Sequence, residues 1–454
     1  MQRNAQLNRD VIFILCILGF LVSFLSFGIS LKTLAFFFGL IFFFIAFIHT
    51  DFALFIILFS MLLSPEIAVG GVPGRSVVVR IDDILLLVIL FGWLARIAVH
   101  KELTVLQFNP LNLPILAYVT VSAIASCIAV LAGNVTIKET FFYNAKYIEY
   151  FLLFFMVVNL IQTRKQAVRF IFIMLFVTLS ISIYAWGLHF SGHARVTAPF
   201  EGKFGEPNTL GGYLLLLIMI AAGLLFSVKT LKARLFLFIT LFFSLPAFLF
   251  TLSRGSWLGL IPAYIMLFVL SKRGKLIIFA VFVLLVIWCS FFLPGFVYER
   301  LLYTFSSHAE RIVLGQIIST DKSLAARIDS WKENFERFSK SPLYGYGVGN
   351  PGPTVDNQYS RLLVETGLPG LLTFFWIIII MFKQAFINLK KSINDPLAHG
   401  LIVGFIAGLA GLIIHSFSAA TFIIIRIMEP FWTLAAIVVV LPKFLIPAKE
   451  TAGN

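Results

Sequence analysis

The sequence predicts an all-α polytopic membrane protein with about 12–14 transmembrane helices and one large loop outside the membrane. Three observations carry this prediction. Of 454 residues, 60% are hydrophobic and only 12% charged, whereas an ordinary soluble domain is about 45–50% apolar and about 25% charged. The charged residues gather between apolar runs, many of which meet or approach the roughly 17–25 residues needed to cross a ~30 Å hydrocarbon core. In lipid such runs must satisfy their own backbone hydrogen bonds and are therefore helices. Lys and Arg also fall unequally on the two sides that these runs define.

Along the chain, Arg3 and Arg9 precede an apolar run from Val11. The run is long and lacks a small-residue cleavage site, so it reads as an uncleaved first span and not as a signal peptide. Spans follow near 11–30, 33–48, 52–64, 82–99, 113–132, 145–162, 167–189, 209–227, 234–251, 256–270, 275–293, 369–388, 398–419 and 430–446. The third and tenth are short, which sets the lower count. With the N-terminus inside, about 18 of the 35 Lys and Arg residues lie on the inner side and about 9 in the short outer loops. This bias predicts cytoplasmic termini and an external loop at 294–368. It also accounts for much of the +14 net charge without nucleic acid. Cys16, Cys127 and Cys289 stand singly in apolar stretches and read as packing residues.

The chain thus divides into N-terminal spans (1–293), an outer loop (294–368) and C-terminal spans (369–454). Within the loop, Leu324, Ile328, Trp331, Phe335 and Phe338 share one helical face. Asp329, Glu333 and Arg337, with Lys332, Glu336 and Lys340, lie four apart on the other side. Such a helix either packs on the rest of the protein or lies along the outer leaflet. Pro342 ends it, and a turn-rich stretch runs to Pro353 through Gly345, Gly347 and Gly349.

Three outward segments hold polar groups able to carry chemistry. One runs from Arg195 to Asn208. A second surrounds Arg254 between two apolar spans, where an ionisable residue is costly and marks a functional site by default. The third runs from Asp356 and Asn357 through Tyr359, Arg361 and Glu365. Two arginines suit a pyrophosphate, because each is a permanently charged planar fork of donors. A carboxylate such as Asp356 or Glu365 can accept the proton of an attacking sugar hydroxyl. Each residue also has an ordinary reading. Arg254 can snorkel to headgroups, Arg195 can be a topological charge, and Asp356 can cap the following helix. Within the spans, Asp82, Asp83, Lys146, Glu149, His415, Ser416 and Ser418 serve as bundle contacts or as an ion path. The pairs Arg80 with Asp82 or Asp83, and Lys146 with Glu149, read as internal neutralisation.

Three strings resemble the O-antigen ligase and polymerase family: Thr251 to Gly259; Arg327 to Trp331, followed by Ser341 to Gly349; and Asn357 to Gly370. Arg195, followed by Pro207-Asn208 and an apolar span, is similar to the family's preceding loop. The strings stand in the family's order across roughly 190–370. The resemblance implies a GT-C-type membrane glycosyltransferase fold with a large periplasmic loop, in the bacterial inner membrane. It implies an undecaprenyl-pyrophosphate-linked glycan as donor, and neither metal nor cofactor. By the same resemblance Arg195 and Arg254 bind the donor pyrophosphate, while Asn208, Arg327, Trp331, Asn357, Tyr359, Arg361 and Glu365 belong to substrate-binding motifs. Ligases of this family carry a histidine just before the Asn of the third motif. Here that position is Asp356, and His308 lies outside the motif. The expectation is therefore a polymerase that joins lipid-linked repeat units, with a chain-length regulator as a further partner. The alternative is a ligase with lipid A core or another molecule as acceptor. A transporter or flippase is the reading from another class; inverted repeats, which would favour it, are not seen.

Overall fold

The computed structural model describes residues 50–64, 66–72, 75–99, 107–200, 205–271, 309–313, 316–320, 322–350 and 357–444, with isolated positions in 41–48 and at 275. The expected spans at 11–30 and 275–293, most of that at 33–48, and Asp356 lie outside the described residues.

The described helices are α1 (Thr50–Leu63), α2 (Ile81–Val99), α3 (Asn112–Leu131), α4 (Ile137–Leu160), α5 (Arg164–Phe190), α6 (Pro207–Leu225), α7 (Leu231–Phe250), α8 (Arg254–Leu270), α9 (Lys322–Lys340), α10 (Gln358–Lys391), α11 (Pro396–His415) and α12 (Ile425–Val440). Eight of them are long and apolar enough to cross a membrane: α3 to α7, α10, α11, and α12 with its short continuation to Phe444. The protein is thus a helical, multi-pass membrane protein. Hydropathy does not register two short antiparallel hairpins. Strand β1 (Glu66–Val72) pairs with β2 (Arg75–Arg80), and β3 (Ala309–Val313) with β4 (Gln316–Thr320).

Two helices begin earlier than apolar runs suggest. Helix α4 starts at Ile137 and not near 145, because Thr136 and Glu139 form a reciprocal capping box, which satisfies two otherwise unpaired donors. Helix α10 starts at Gln358, so an arm that hydropathy assigns to the outer loop is helical. Asn357, and not Asp356, caps this arm, accepting from the Tyr359 and Ser360 amides. A break at Gly367 (φ 66°, ψ −165°) separates the arm from the apolar part; an L residue rarely adopts that conformation.

Helices α6 and α11 form the centre. From Thr209 to Leu224 the whole circumference of α6 is buried, as an all-round apolar helix requires. The two backbones touch through Gly223, Gly400, Gly404 and Gly408. A Cβ on Gly404 would stand 2.5 Å from the Met219 carbonyl oxygen and 2.7 Å from the Ile220 Cα. Without a hydrophobic drive between helices in lipid, such close backbone packing is what holds them together.

Helix α9 turns Ser330 and Asn334 inward and leaves Trp331 and Phe335 outward, Phe335 at 65% exposure. Its apolar face is thus not the one packed on the protein, which favours the leaflet reading of this amphipathic helix. Its C-terminal end is fixed by Arg337, which stacks over Tyr346 at 5.0 Å and donates to Asn350.

Candidate functional site

The candidate residues are positioned by three helix starts gathered on the end of α11. The first two meet directly. Ser253, the N-cap of α8, donates from Oγ to Asn208 Oδ1 in the first turn of α6 at 2.8 Å. Ser256 Oγ donates in turn to Ser253 Oγ at 2.8 Å. The third start is that of α10. There Asn357 Nδ2 donates to the Phe417 carbonyl (3.2 Å), the Gln358 amide to the Ser416 carbonyl (3.0 Å) and Tyr359 OH to the Ile413 carbonyl (2.7 Å). The Phe422 amide donates back to Gln358 Oε1 at 3.0 Å. Between them, His415 contacts Thr421 Oγ1 through Nδ1 at 2.8 Å. A Cβ on Gly212 would lie 2.7 Å from Ile427 Cδ1 and 3.0 Å from the His415 ring, so a larger residue here would displace side chains at the junction. Helix N-termini present unpaired amides and a partial positive charge, which suits an anion.

Arg195 and Arg254 lie at this junction. Arg254 is the first residue of α8. Arg195 donates from Nε to the Thr251 carbonyl at 3.0 Å and faces the Leu252 carbonyl at 3.5 Å, which ties its loop to the turn that introduces α8. Leu252 is held at φ 50°, a left-handed conformation costing of order 1–3 kcal/mol that persists where the surroundings over-determine it. Arg327 lies within electrostatic reach of His415.

Arg361 and Glu365 form a separate pair. Arg361 donates from Nε to Glu365 Oε1 (3.0 Å) with NH2 in ion-pair contact with the same oxygen (2.9 Å), while Tyr147 OH donates to Oε2 at 2.7 Å. The Gly349 amide faces Oε1 at 3.5 Å. A carboxylate so engaged anchors the glycine turn to the α10 arm, and its lone pairs are taken up. Replacing Glu365 by Gln leaves a buried guanidinium unpaired, so the expected loss of stability is about 3–5 kcal/mol. Tyr147→Phe should cost about 1–3 kcal/mol. Thermal unfolding of the detergent-solubilised variants checks both, and a Glu365→Gln protein as stable as the parent would refute the anchor.

The structure thus gathers Arg195, Asn208, Arg254, Asn357 and Tyr359 around one junction. It sets Arg361 and Glu365 on the far side of the α10 arm and leaves Trp331 on the outer face of α9. Residues 238–375 match the family model described as O-antigen ligase. Over that segment the chain is similar to O-antigen ligases. The match takes in Arg254 and the α9 and α10 motifs, while Arg195 and Asn208 lie before it. No curated protein matches the chain.

Sequence reasoning missed Arg426. Its guanidinium donates to the carbonyls of Pro199 (3.1 Å), Ser64 (3.2 Å) and Phe200 (3.2 Å), joining α12 to the Arg195 loop and to the end of α1. In the sequence it stands between the apolar runs 398–419 and 430–446, where it reads as a topological charge in a short outer loop. The role of Ser253 was legible as an N-cap, since Ser leads that position.

Proposed function

We propose that this protein transfers a glycan from a lipid-linked pyrophosphate at the outer face of the bacterial inner membrane, and that it does so as a polymerase. The observation that carries the proposal is the pairing of Arg195 and Arg254 with the joined starts of α6 and α8. In the proposed reaction a sugar hydroxyl attacks the anomeric carbon of the donor glycan. The bond from that carbon to the pyrophosphate oxygen breaks, and the undecaprenyl pyrophosphate leaves with the bonding pair. Guanidinium groups and helix amides meet the charge that develops on the leaving oxygen, the kind of preset electrostatics that lowers such barriers most. Asp356, next to the α10 cap, takes the hydroxyl proton. No metal is required by this scheme.

The acceptor under this reading is a second lipid-linked repeat unit, with a chain-length regulator as partner. Asp356 in the position where ligases carry histidine favours the polymerase. The ligase reading, with lipid A core as acceptor, has its own support in the family description matched by residues 238–375. Purified protein in nanodiscs, supplied only with undecaprenyl-pyrophosphate repeat units, should give a ladder of lengthened glycans. Absence of a ladder, with transfer once lipid A core is added, would replace polymerase by ligase. Inactivity with both acceptors would refute the transfer reading.

A further inference from the structure

His415, the last residue of α11, is wholly buried where the starts of α6 and α8 meet. Its ring lies between glycines of the two helices. A Cβ on Gly212 of α6 would stand 3.0 Å from Cε1 and 3.3 Å from Nδ1, and a Cβ on Gly255 of α8 would stand 3.7 Å from Cδ2. Nε2 is the ring atom between Cε1 and Cδ2, so it faces the seam between α6 and α8. Nδ1 meets Thr421 Oγ1 at 2.8 Å. Among the described residues Nε2 meets no hydrogen-bond partner; the Asn208 main chain lies in its neighbourhood without completing a bond.

The Thr421 contact settles which nitrogen carries the proton. The Thr421 hydroxyl has two acceptors in reach, Nδ1 at 2.8 Å and the Ala419 carbonyl at 3.4 Å. The nearer takes its hydrogen, which makes Nδ1 an acceptor and places the imidazole proton on Nε2. A wholly buried N–H with no acceptor is costly, and in a native core such a group calls for a ligand, ion or water to complete it. The surroundings favour an anion. Two helix starts meet here, with main-chain donors and a partial positive charge. Arg195 and Arg254 stand at the same turns. Asn208 Oδ1 is taken by Ser253, which leaves the Asn208 side-chain NH2 as a further donor.

We propose that His415 Nε2 donates to a phosphate oxygen of the ligand seated at the starts of α6 and α8, a buried third contact beside Arg195 and Arg254. This rests on the reading that the two arginines hold a lipid-linked pyrophosphate. The neutral imidazole adds no charge. It adds one directed donor, fixed by α11 and Thr421, and so selects which oxygen faces the seam.

Titration of the full protein in nanodiscs with undecaprenyl pyrophosphate, followed by the rise in melting temperature, tests this. Two substitutions separate the ring nitrogens. Asparagine places its amide near the position of Nδ1 and keeps the Thr421 contact, whereas glutamine reaches the position of Nε2 and keeps the donor. His415→Asn should weaken binding about 10–150-fold, the range for a lost hydrogen bond to a charged group, and His415→Gln should bind nearly as the parent does. A purely packing role predicts the reverse order, with asparagine the better variant. That order, or equal binding by all three proteins as expected if Nε2 holds only water, would overturn the proposal and leave the arginine reading standing. A parent that gains no stability from undecaprenyl pyrophosphate would overturn both. A cryo-EM map of the parent with that ligand decides the point without any substitution. A phosphate oxygen is expected about 3 Å from Nε2, and a ligand seated away from the imidazole would refute the contact.

Discussion

Replacing Arg254 by lysine is expected to lower glycan transfer about 100-fold or more, the range seen when one preset donor to a developing oxyanion is lost. The charge survives in this variant, but the planar fork does not, and a compact ammonium cannot offer two parallel donors to one phosphate. Arg195→Ala should behave differently. Arg195 also holds the Thr251 carbonyl, so this variant should lose both activity and some thermal stability. Turnover and melting measured on both variants separate the two roles. An Arg254→Lys enzyme with near-parental turnover would remove Arg254 from the chemistry.

The second large effect is structural. Gly404→Val should destabilise the protein by about 3 kcal/mol or more, at or beyond the upper end of ordinary overpacking. Its new atoms would meet the Met219 carbonyl and the Ile220 Cα, which are backbone and cannot rotate away. Separating α6 from α11 would also pull Gly212 from His415, so surviving protein should have reduced activity. Thermal unfolding and the yield of monodisperse protein report this effect, and a valine variant with a parental melting curve would show that the two helices can part. Leu412, by contrast, has a wholly buried side chain, and Leu412→Ala should cost the cavity range of about 2–5 kcal/mol with the junction intact.

What the sequence revealed follows from which forces act locally. Long apolar runs such as α3, α5 and α11 are visible because length and hydropathy alone define them. The first turns of α4 escape notice because Lys138, Glu139, Asn144 and Lys146 dilute the apolar signal. The α10 arm escapes because Gln358, Arg361 and Glu365 resemble loop residues. Arg195, Arg254 and Asn208 stand out as polar groups at span ends. That Ser253 and Asn208, 45 positions apart, join two helix starts is a tertiary fact with no local trace. The pairs Arg80 with Asp82 and Lys146 with Glu149 were legible from spacing and are present. Their convergence with Glu429 was not, since nothing in the α12 run points to β2. The four-residue spacing of Gly400, Gly404 and Gly408 is plain in the sequence, yet its meaning depends on which helix lies opposite.

The Arg426 clamp has a consequence for biosynthesis. Ser64, Pro199 and Phe200 emerge early in translation, and their carbonyls wait for a guanidinium that emerges more than two hundred residues later. A nascent chain that has inserted everything through α11 still lacks the tie between the Arg195 loop and the first described helix. Helix α12 is therefore the element that ties the Arg195 loop to α1, and a product truncated before it would be assembled in outline but unlatched.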